Sequence, residues 1–397
     1  MIWHTVELTE VCELITDGTH YTPKNIGFGV PFLTVKNIDS DDNKLDFLNC
    51  SFISKMDFQQ AAQGNSAPVF GDVLFSKDGT VGKVHVVKTR NEFAVLSSIA
   101  ILRPNKNIAD PIYLGFALKS PVILNDALSR KTGSAIRRIV LSDLKKVKIP
   151  LPPLAEQKRI AAILDKADAI KRKREQAIAK LDKLAQSIFV EMFGNIANND
   201  KGWECALLAN VCERAGEYGA GVASIPYSNS LPIYVRITDI DDNGDLTKKP
   251  VSPAGNQKDW CNYKLEVGDV LFARSGATVG KTYLHKNTEG YYVFAGYLIR
   301  FRPIVSLVNP QFLFHFTKTD FYNAWVIARQ RVVAQPNINA KQYGYDLLIP
   351  VPPIALQEQF ATRISKLEKL KASNIAALEK HNQLFASLQS QAFTGQL

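Results

Sequence analysis

The chain carries the same motif twice, about 200 residues apart, and this repetition limits the folds open to it. The segment Ile149-Pro150-Leu151-Pro152-Pro153-Leu154-Ala155-Glu156-Gln157 returns as Ile349-Pro350-Val351-Pro352-Pro353-Ile354-Ala355-Leu356-Gln357. Two further blocks return in the same order: Trp3 with Val11-Cys12-Glu13 as Trp203 with Val211-Cys212-Glu213, and Gly71-Asp72-Val73-Leu74-Phe75 as Gly268-Asp269-Val270-Leu271-Phe272. Because the spacing is nearly constant, we interpret the chain as a tandem duplication of a globular domain followed by a long helix.

The composition fits a multidomain protein with a polyanionic partner. The chain has 397 residues, enough for two or three domains with their own cores, and a formal charge of +10. That basic excess favours nucleic acid first and a membrane surface second. No stretch approaches the roughly 20 apolar residues of a membrane span. Glu7, Glu10 and Glu13 interrupt the region where an export signal needs an apolar core.

The cysteines indicate a reducing compartment. There are five, and they form no CxxC pair. We therefore expect buried thiols and a cytoplasmic protein.

Within each repeat, short β-rich runs alternate with turns. Strands are predicted at Phe32–Val35, Val73–Phe75, Val84–Val87 and Ile99–Leu102. A helix is predicted to begin at Asp110-Pro111, because Asp suits the N-cap and Pro the first helical position. Residues 197–350 repeat this plan, including Asn309-Pro310.

The segment after each proline motif has apolar residues at heptad spacing. A stripe with a period of 3.5 residues is typical of a coiled-coil seam, and each helix is the other's obvious partner. Each segment of about 35 residues would be roughly 50 Å long. Arg174, Asn374 and His381 interrupt the stripes, which indicates either a polar layer that fixes register or a solvated break. The predicted seam and partner residues are Ile163, Ile170, Leu181, Leu184, Leu367, Leu370 and Leu384.

The prolines before each helix allow two interpretations. Pro150-Leu151-Pro152-Pro153 contains PxxP, which SH3-type domains bind. Since the motif recurs immediately before a helix in both halves, we favour a structural elbow that ends a strand and sets the entry angle of the helix.

Several motifs resemble catalytic or nucleotide-binding elements but do not match them. Gly276-Ala277-Thr278-Val279-Gly280-Lys281-Thr282 is one residue short of a phosphate-binding loop, and a strand is predicted after it where that loop requires a helix. Its glycines suit a β-hairpin instead. Asp110-Pro111-Ile112-Tyr113 lacks the second proline of the amino-methyltransferase motif. We predict no catalytic residue, no metal site and no cofactor in this chain.

The remaining chemistry lies in basic residues on equivalent turns. Cationic side chains at matching loops of two domains suit phosphate contacts and base reading, although a solvated surface charge is the alternative for any one of them. The predicted DNA-binding residues are Lys77, Lys83, Arg137, Arg138, Arg274, Lys281, Arg329 and Arg331.

Taken together, these motifs resemble the specificity subunit of type I restriction–modification enzymes over essentially the whole chain. The Gly-Asp-Val-Leu-Phe hairpin that continues to Val-Gly-Lys, and Pro-Pro-Leu-Ala-Glu-Gln-Lys-Arg-Ile at 152–160, are similar to that family's target-recognition domains and spacer helix. Asp17-Gly18-Thr19-His20 with Pro23 matches another family element, whereas the second copy has Tyr218-Gly219-Ala220. Leu356 departs from Glu156 of the first elbow, and Phe360 and Arg363 replace Ile160 and Ile163.

The resemblance implies a non-catalytic subunit that reads a split, asymmetric site in double-stranded DNA. Two methyltransferase subunits would dock on the helices and motor-nuclease subunits would join them, with the methyl donor and ATP bound by these partners. A coiled-coil scaffold that binds proteins without DNA specificity is the competing hypothesis, and an enzyme is the third.

We accordingly predict an α+β, pseudo-twofold tandem repeat. Its two mixed α/β target-recognition domains are joined by two long helices that pair as an antiparallel coiled coil. The predicted boundaries are 1–152 and 195–352 for the domains, and 153–194 and 353–397 for the helices.

Overall fold

The computed structural model describes residues 3–39, 44–129, 138–246, 249–330 and 336–397. The chain divides into two compact units, the first made of residues 1–177 and 374–397 and the second of residues 178–373. Each unit contains one globular part, called the first or second domain below, together with a segment of each long helix. The domains are mixed α/β and share one plan, as the duplication predicts.

The elements of the first half follow the predicted alternation of strands and turns. The strands are β1 (Thr5–Glu7), β2 (Cys12–Asp17), β3 (Val30–Leu33), β4 (Ile38–Asp39), β5 (Lys44–Leu45), β6 (Ser51–Ile53), β7 (Val73–Ser76), β8 (Val84–Val86), β9 (Ala94–Val95), β10 (Ile99–Pro104) and β11 (Lys148–Pro150). The helices are α1 (Leu8–Val11), α2 (Lys55–Gln63), α3 (Pro111–Lys119), α4 (Pro121–Ser129), α5 (Leu141–Leu144) and the long α6 (Leu154–Phe193).

The second half repeats this order. The strands are β12 (Cys205–Leu207), β13 (Cys212–Tyr218), β14 (Ser224–Pro226), β15 (Ile233–Val235), β16 (Val251–Pro253), β17 (Val270–Ala273), β18 (Thr282–Leu284), β19 (Tyr292–Phe294), β20 (Leu298–Pro303) and β21 (Leu348–Pro350). The helices are α7 (Gln257–Trp260), α8 (Pro310–Phe316), α9 (Asp320–Gln330), α10 (Ala340–Asp346) and the long α11 (Ile354–Thr394).

The sheets of the two domains correspond strand by strand. The first domain has a four-stranded antiparallel sheet in the order β2-β10-β7-β8, and the second has β13-β20-β17-β18. Each domain also pairs its first strand with the strand before the proline elbow, β1 with β11 and β12 with β21. This pairing brings the start of each domain beside the start of a long helix. It supports the elbow interpretation of the prolines.

The predicted helix starts are confirmed, and the reason is capping. The Asp110 carboxylate accepts hydrogen bonds from the backbone N–H groups of Ile112 and Tyr113, and Asn309 accepts one from Gln311. Pro stands at the first helical position in both helices, where its missing N–H group has no cost.

A buried glutamine fastens each long helix to its domain. The Gln157 amide accepts a hydrogen bond from Asp110 N and donates to the carbonyls of Ile108 and Pro152, all at 2.9 Å. Gln357 repeats the set with Asn309, Leu307 and Pro352. Since both glutamines are fully buried, these bonds form in a low-dielectric setting where an unpaired amide would be destabilising.

Within each unit the segments of α6 and α11 run antiparallel. In the first unit Arg159 donates to the Leu397 carbonyl, and the His381 ring lies 2.8 Å from the Ala167 carbonyl. In the second unit the Lys371 ammonium lies 2.8 Å from the Asp182 carboxylate. His381 therefore belongs to a polar layer rather than to a break in the helix, because α11 is continuous through it.

The residues predicted for the seam and partner contacts differ in burial. Ile163, Leu181 and Leu367 are half-buried, but Ile170, Leu184, Leu370 and Leu384 are exposed, Leu384 by 56%. The residues that are buried lie near the helix ends and include Leu164, Phe189, Phe193, Phe360 and Ala392. They are buried because each helix end packs against a globular domain as well as against the other helix. A heptad pattern alone does not distinguish these two neighbours.

The thiols only partly match the expectation. All five cysteines are free, and burial raises the pKa of Cys12 and Cys212 to about 12. Cys205 is exposed, contrary to the prediction that every thiol is buried. Among the described residues, no helix is long and apolar enough to span a membrane.

Candidate nucleic-acid interface

The glycine hairpins of the two domains are built on the same backbone frame. Lys77 N donates to the Ser98 carbonyl at 2.9 Å, and Ile139 N donates to the Lys77 carbonyl at 2.9 Å. In the second domain Arg274 N donates to Tyr297 O at 3.0 Å, and Ile338 N donates to Arg274 O at 2.8 Å. Lys77 and Arg274 therefore occupy equivalent positions, and any difference between them arises from their side chains.

In the first domain this position holds a buried ion pair. The Lys77 ammonium lies 3.1 Å from the Asp17 carboxylate, and both side chains are about one-tenth exposed. Burial raises the pKa of the Asp17 carboxyl, and the neighbouring Lys77 charge offsets part of that rise. The expected solvated cation at Lys77 is therefore absent. Asp17 also lies 3.7 Å from the exposed imidazole of His20.

Lys83, at the end of the same hairpin, is also engaged within the protein. Its ammonium donates hydrogen bonds to the carbonyls of Ile38 at 2.7 Å and Val35 at 3.2 Å. Val35 lies just before β4 and Ile38 is the first residue of β4, so Lys83 joins the hairpin to the neighbouring turn and strand. A phosphate contact at Lys83 would compete with these bonds.

In the second domain the equivalent position holds a guanidinium on an aromatic ring. Arg274 lies over the ring of Tyr218, with its central carbon 4.8 Å from the ring centroid. Such stacking attracts a cation through the negative face of the ring. No carboxylate in the described part of the chain pairs with Arg274, and its Nε atom is buried without a hydrogen-bond partner there. Arg274 is thus half-buried yet retains unused donors.

The other predicted basic residues have varied surroundings. Lys281 pairs with Asp242 at 2.9 Å, and Arg329 lies over the Trp325 ring at 3.8 Å with Asp346 beside it. Arg138 is exposed and forms an isolated β-bridge with Asp78. Arg137 and Arg331 lie outside the residues that the structure describes. Lys281 is therefore paired with a carboxylate, as Lys77 is, whereas Arg138 is exposed and Arg274 has no carboxylate partner among the described residues.

The aromatic residues beside Arg274 were not among the predicted site residues. Tyr218 ends β13 and Tyr297 precedes β20, and Tyr297 is 61% exposed. The sequence held one sign of their role: the second repeat has a tyrosine, Tyr218, at the position of Asp17 and an arginine, Arg274, at the position of Lys77. Among the described residues, no group of three or more His, Cys, Asp or Glu side chains could hold a metal ion.

Comparison with known proteins identifies one family across both repeats. The family model described as type I restriction modification DNA specificity domain matches residues 2–180 and 234–380. The putative type I restriction enzyme MjaX specificity subunit of Methanocaldococcus jannaschii is 24% identical, over 93% of this chain and 87% of its own length. The type I restriction enzyme EcoKI specificity subunit of Escherichia coli is also 24% identical, over 100% of this chain and 89% of its own length.

Solved structures share the fold. The S subunit of a type I restriction–modification system from M. genitalium aligns with a TM-score of 0.59 at 15% identity, covering 98% of this chain and 96% of that one. A chain from a study of complex assembly and conformational transition in the type I R-M system aligns with a TM-score of 0.54 at 21% identity, covering 100% and 98%.

Proposed function

Because the chain belongs to the type I restriction–modification DNA specificity family, we propose that it recognises a split, asymmetric DNA sequence, each domain reading one half. It acts in the cytoplasm without catalysis of its own. It binds two methyltransferase subunits, and motor-nuclease subunits join that complex. The methyl donor and ATP bind to these partners.

One observation carries the division of labour between the domains. The same backbone frame carries the Lys77–Asp17 ion pair in the first domain. In the second domain it carries Arg274, which stacks on Tyr218 and has no carboxylate partner among the described residues. A constant frame with different chemistry suits two domains that read different bases, because specificity resides in side chains that reach base edges. The formal charge of +10 supports attraction to DNA of any sequence.

An exchange of domains tests this proposal. Residues 1–152 are replaced by those of a family relative with another target, and the methylated sequences are read from genomic DNA of cells that hold the partner subunits. We expect one half of the methylated sequence to change and the other to stay. The reciprocal exchange of 195–352 is the matched control and should change the other half. A change in both halves from one exchange contradicts separate reading, and binding without sequence preference favours the scaffold hypothesis.

We further propose that the long helices set the spacer between the half-sites as an antiparallel coiled coil and dock the methyltransferase subunits. Exposed apolar side chains on both helices support docking, since large solvent-exposed aliphatic groups suit a protein partner. They are Ile170 and Leu184 on α6, and Leu370 and Leu384 on α11.

Replacing the exposed leucines by lysine tests the docking surface. We expect Leu184→Lys and Leu384→Lys to reduce co-purification of the methyltransferase subunit, because a desolvated charge opposes association. Val122, an even more exposed apolar residue on α4, supplies the control Val122→Lys. The proposed docking surface would be contradicted if the helix variants still co-purify with both methyltransferase subunits and the thermal unfolding midpoint of the isolated chain is unchanged.

A further inference from the structure

Strand β13 differs from its counterpart β2 by one inserted residue. β2 has six residues and β13 has seven, and the pairing of β13 with β20 shifts register between Ala215 and Glu217. Gly216, between them, has a φ of 77°, in the left-handed region that favours glycine. A side chain there would also be crowded, since an added Cβ would lie 3.0 Å from the Ala340 Cβ. The insertion is therefore a β-bulge, a feature that redirects neighbouring side chains.

The side chain that follows the bulge is Tyr218, and it is held at two points. Its ring lies against the Arg274 guanidinium at 4.8 Å, and its hydroxyl accepts a hydrogen bond from Ala340 N at 3.1 Å. Ala340 begins α10, so the ring is anchored between a strand and a helix. A ring fixed in this way restricts the guanidinium stacked on it, which lowers the entropy that Arg274 would lose on binding.

The restricted guanidinium of Arg274 can donate to two neighbouring hydrogen-bond acceptors on a ligand. Arginine donates two parallel hydrogen bonds, a geometry that fits the O6 and N7 atoms of guanine in the major groove and also fits a phosphate. Arg274 has no carboxylate partner among the described residues, whereas Lys77 is neutralised by Asp17. Tyr297 beside Arg274 is exposed, where the first domain has Ser98. The second domain thus offers a directed donor at a place where the first domain offers none.

We propose that Tyr218 is a positioning residue that holds Arg274 for bidentate hydrogen bonding to a guanine in the half-site read by the second domain. The first domain makes no guanine contact from the equivalent position, because Lys77 is occupied by Asp17. The inference rests on the proposed DNA-recognition function and adds to it the base class read and the two residues responsible.

The test uses the full chain assembled with its methyltransferase subunits and duplexes that contain the methylated sequence. Each guanine of the second half-site is replaced in turn by 7-deazaguanine, which lacks the N7 acceptor but keeps base pairing. We expect the wild-type affinity to fall about tenfold at one of these guanines. Arg274→Ala should be insensitive to that replacement, and Arg274→Lys should keep only part of the preference because it lacks the planar fork.

Variants of Tyr218 separate positioning from folding. Tyr218→Phe keeps the ring over the guanidinium but loses the hydrogen bond from Ala340 N, so it should keep most of the sensitivity to 7-deazaguanine. Tyr218→Leu removes the aromatic face and should reduce that sensitivity as much as Arg274→Ala does, and the double variant should show no further loss. Lys258→Ala, at an exposed lysine on α7, controls for loss of a surface charge. Thermal unfolding of each variant shows whether it is folded.

The outcomes are distinct. Wild-type binding with no sequence preference would overturn the proposed function and this inference with it. A wild-type preference that is unchanged in folded Tyr218→Leu would overturn the positioning role alone. If Arg274→Ala weakens all duplexes equally and no guanine shows N7 sensitivity in the wild type, Arg274 contacts phosphate and the guanine assignment is wrong.

Discussion

At the residue scale, the hairpin lysines show that charge type alone does not identify a DNA contact. Lys77 and Arg274 occupy equivalent backbone positions, yet Lys77 pairs with the Asp17 carboxylate and Arg274 stacks on the Tyr218 ring. The difference depends on whether Asp17 or Tyr218 stands at the end of the edge strand of the same sheet, β2 or β13. The two residues therefore have separable roles, in stability and in recognition.

We predict that Lys77→Ala destabilises the first domain and leaves its DNA discrimination unchanged. The substitution leaves the Asp17 carboxylate buried without its partner, and breaking such a pair lowers the unfolding free energy by about 3–5 kcal/mol. Urea unfolding measures the loss. Arg274→Ala is the matched comparison, with the reverse outcome of small loss of stability and reduced discrimination. A stable Lys77→Ala protein with an altered first half-site would contradict this assignment.

His85 makes the stability of the first domain depend on pH. It is buried on β8, and burial together with the nearby Lys119 and Lys88 lowers its pKa to about 4. An unfolded histidine titrates near 6.5, so the unfolded state takes up the proton first as pH falls from about 6.5 toward 4. Stability is therefore present above pH 6.5 and lost on acidification, by about 2 kcal/mol at pH 5.

The variant His85→Gln should lose this part of the pH dependence, because glutamine does not titrate. Urea unfolding at pH 7 and pH 5 measures this part as the difference between variant and wild type. The comparison with wild type is needed because the buried His285 and the half-buried His315 of the second domain also have lowered pKa values. His20→Gln, at an exposed histidine, is the control. Equal pH slopes for His85→Gln and wild type would contradict the role of His85.

At the scale of elements, the join between a long helix and its domain depends on one glutamine. The prolines direct the chain, but Gln157 binds the helix to the loop before α3 through its bonds with Ile108 and Asp110, and to the elbow itself through its bond with Pro152. The same three bonds at Gln357 show that the join was duplicated with the domain. The glutamine that ends the repeated motif is thus required by the packing of the helix start.

We expect Gln157→Ala to lower the unfolding free energy of the first unit by about 1–3 kcal/mol for each buried group left without a partner. Gln357→Ala should act in the same way on the second unit. Glu156→Ala, which removes only the exposed ion pair with Arg159, is the neighbouring control and should have a much smaller effect. Hydrogen exchange resolved by peptide locates the loss, and equal protection of residues 105–119 in Gln157→Ala and wild type would contradict the anchoring role.

At the scale of the whole molecule, the proposed spacer function predicts an effect of helix length. Seven residues inserted after Ala179 in α6, with seven inserted after Ser373 in α11, add about 10 Å of helix to each at 1.5 Å per residue. We expect the spacer between the half-sites to lengthen by about three base pairs while the half-sites stay the same. The methylated sequence in genomic DNA shows both the spacer length and the half-sites.

An insertion in α6 alone is the control for matched pairing. It would separate the contact of Ala167 with His381 from that of Asp182 with Lys371, so both pairs could not form in register. We expect this variant to lose stability and sequence-specific methylation. A paired insertion that leaves the spacer length unchanged would show that the helices do not set it.

The duplication, the strand and turn order, the capped starts of α3 and α8, the proline elbows and the two long helices were all predictable from the sequence. Each depends on local preferences or on a repeat, which neighbouring residues specify. The exposure of Leu184, Leu370 and Leu384 was not predictable, because a heptad stripe does not show which of its residues a neighbouring element covers. The tertiary structure also determined which cations are available, since Asp17 and Tyr218 reach Lys77 and Arg274 only through strand pairing between residues distant in the chain.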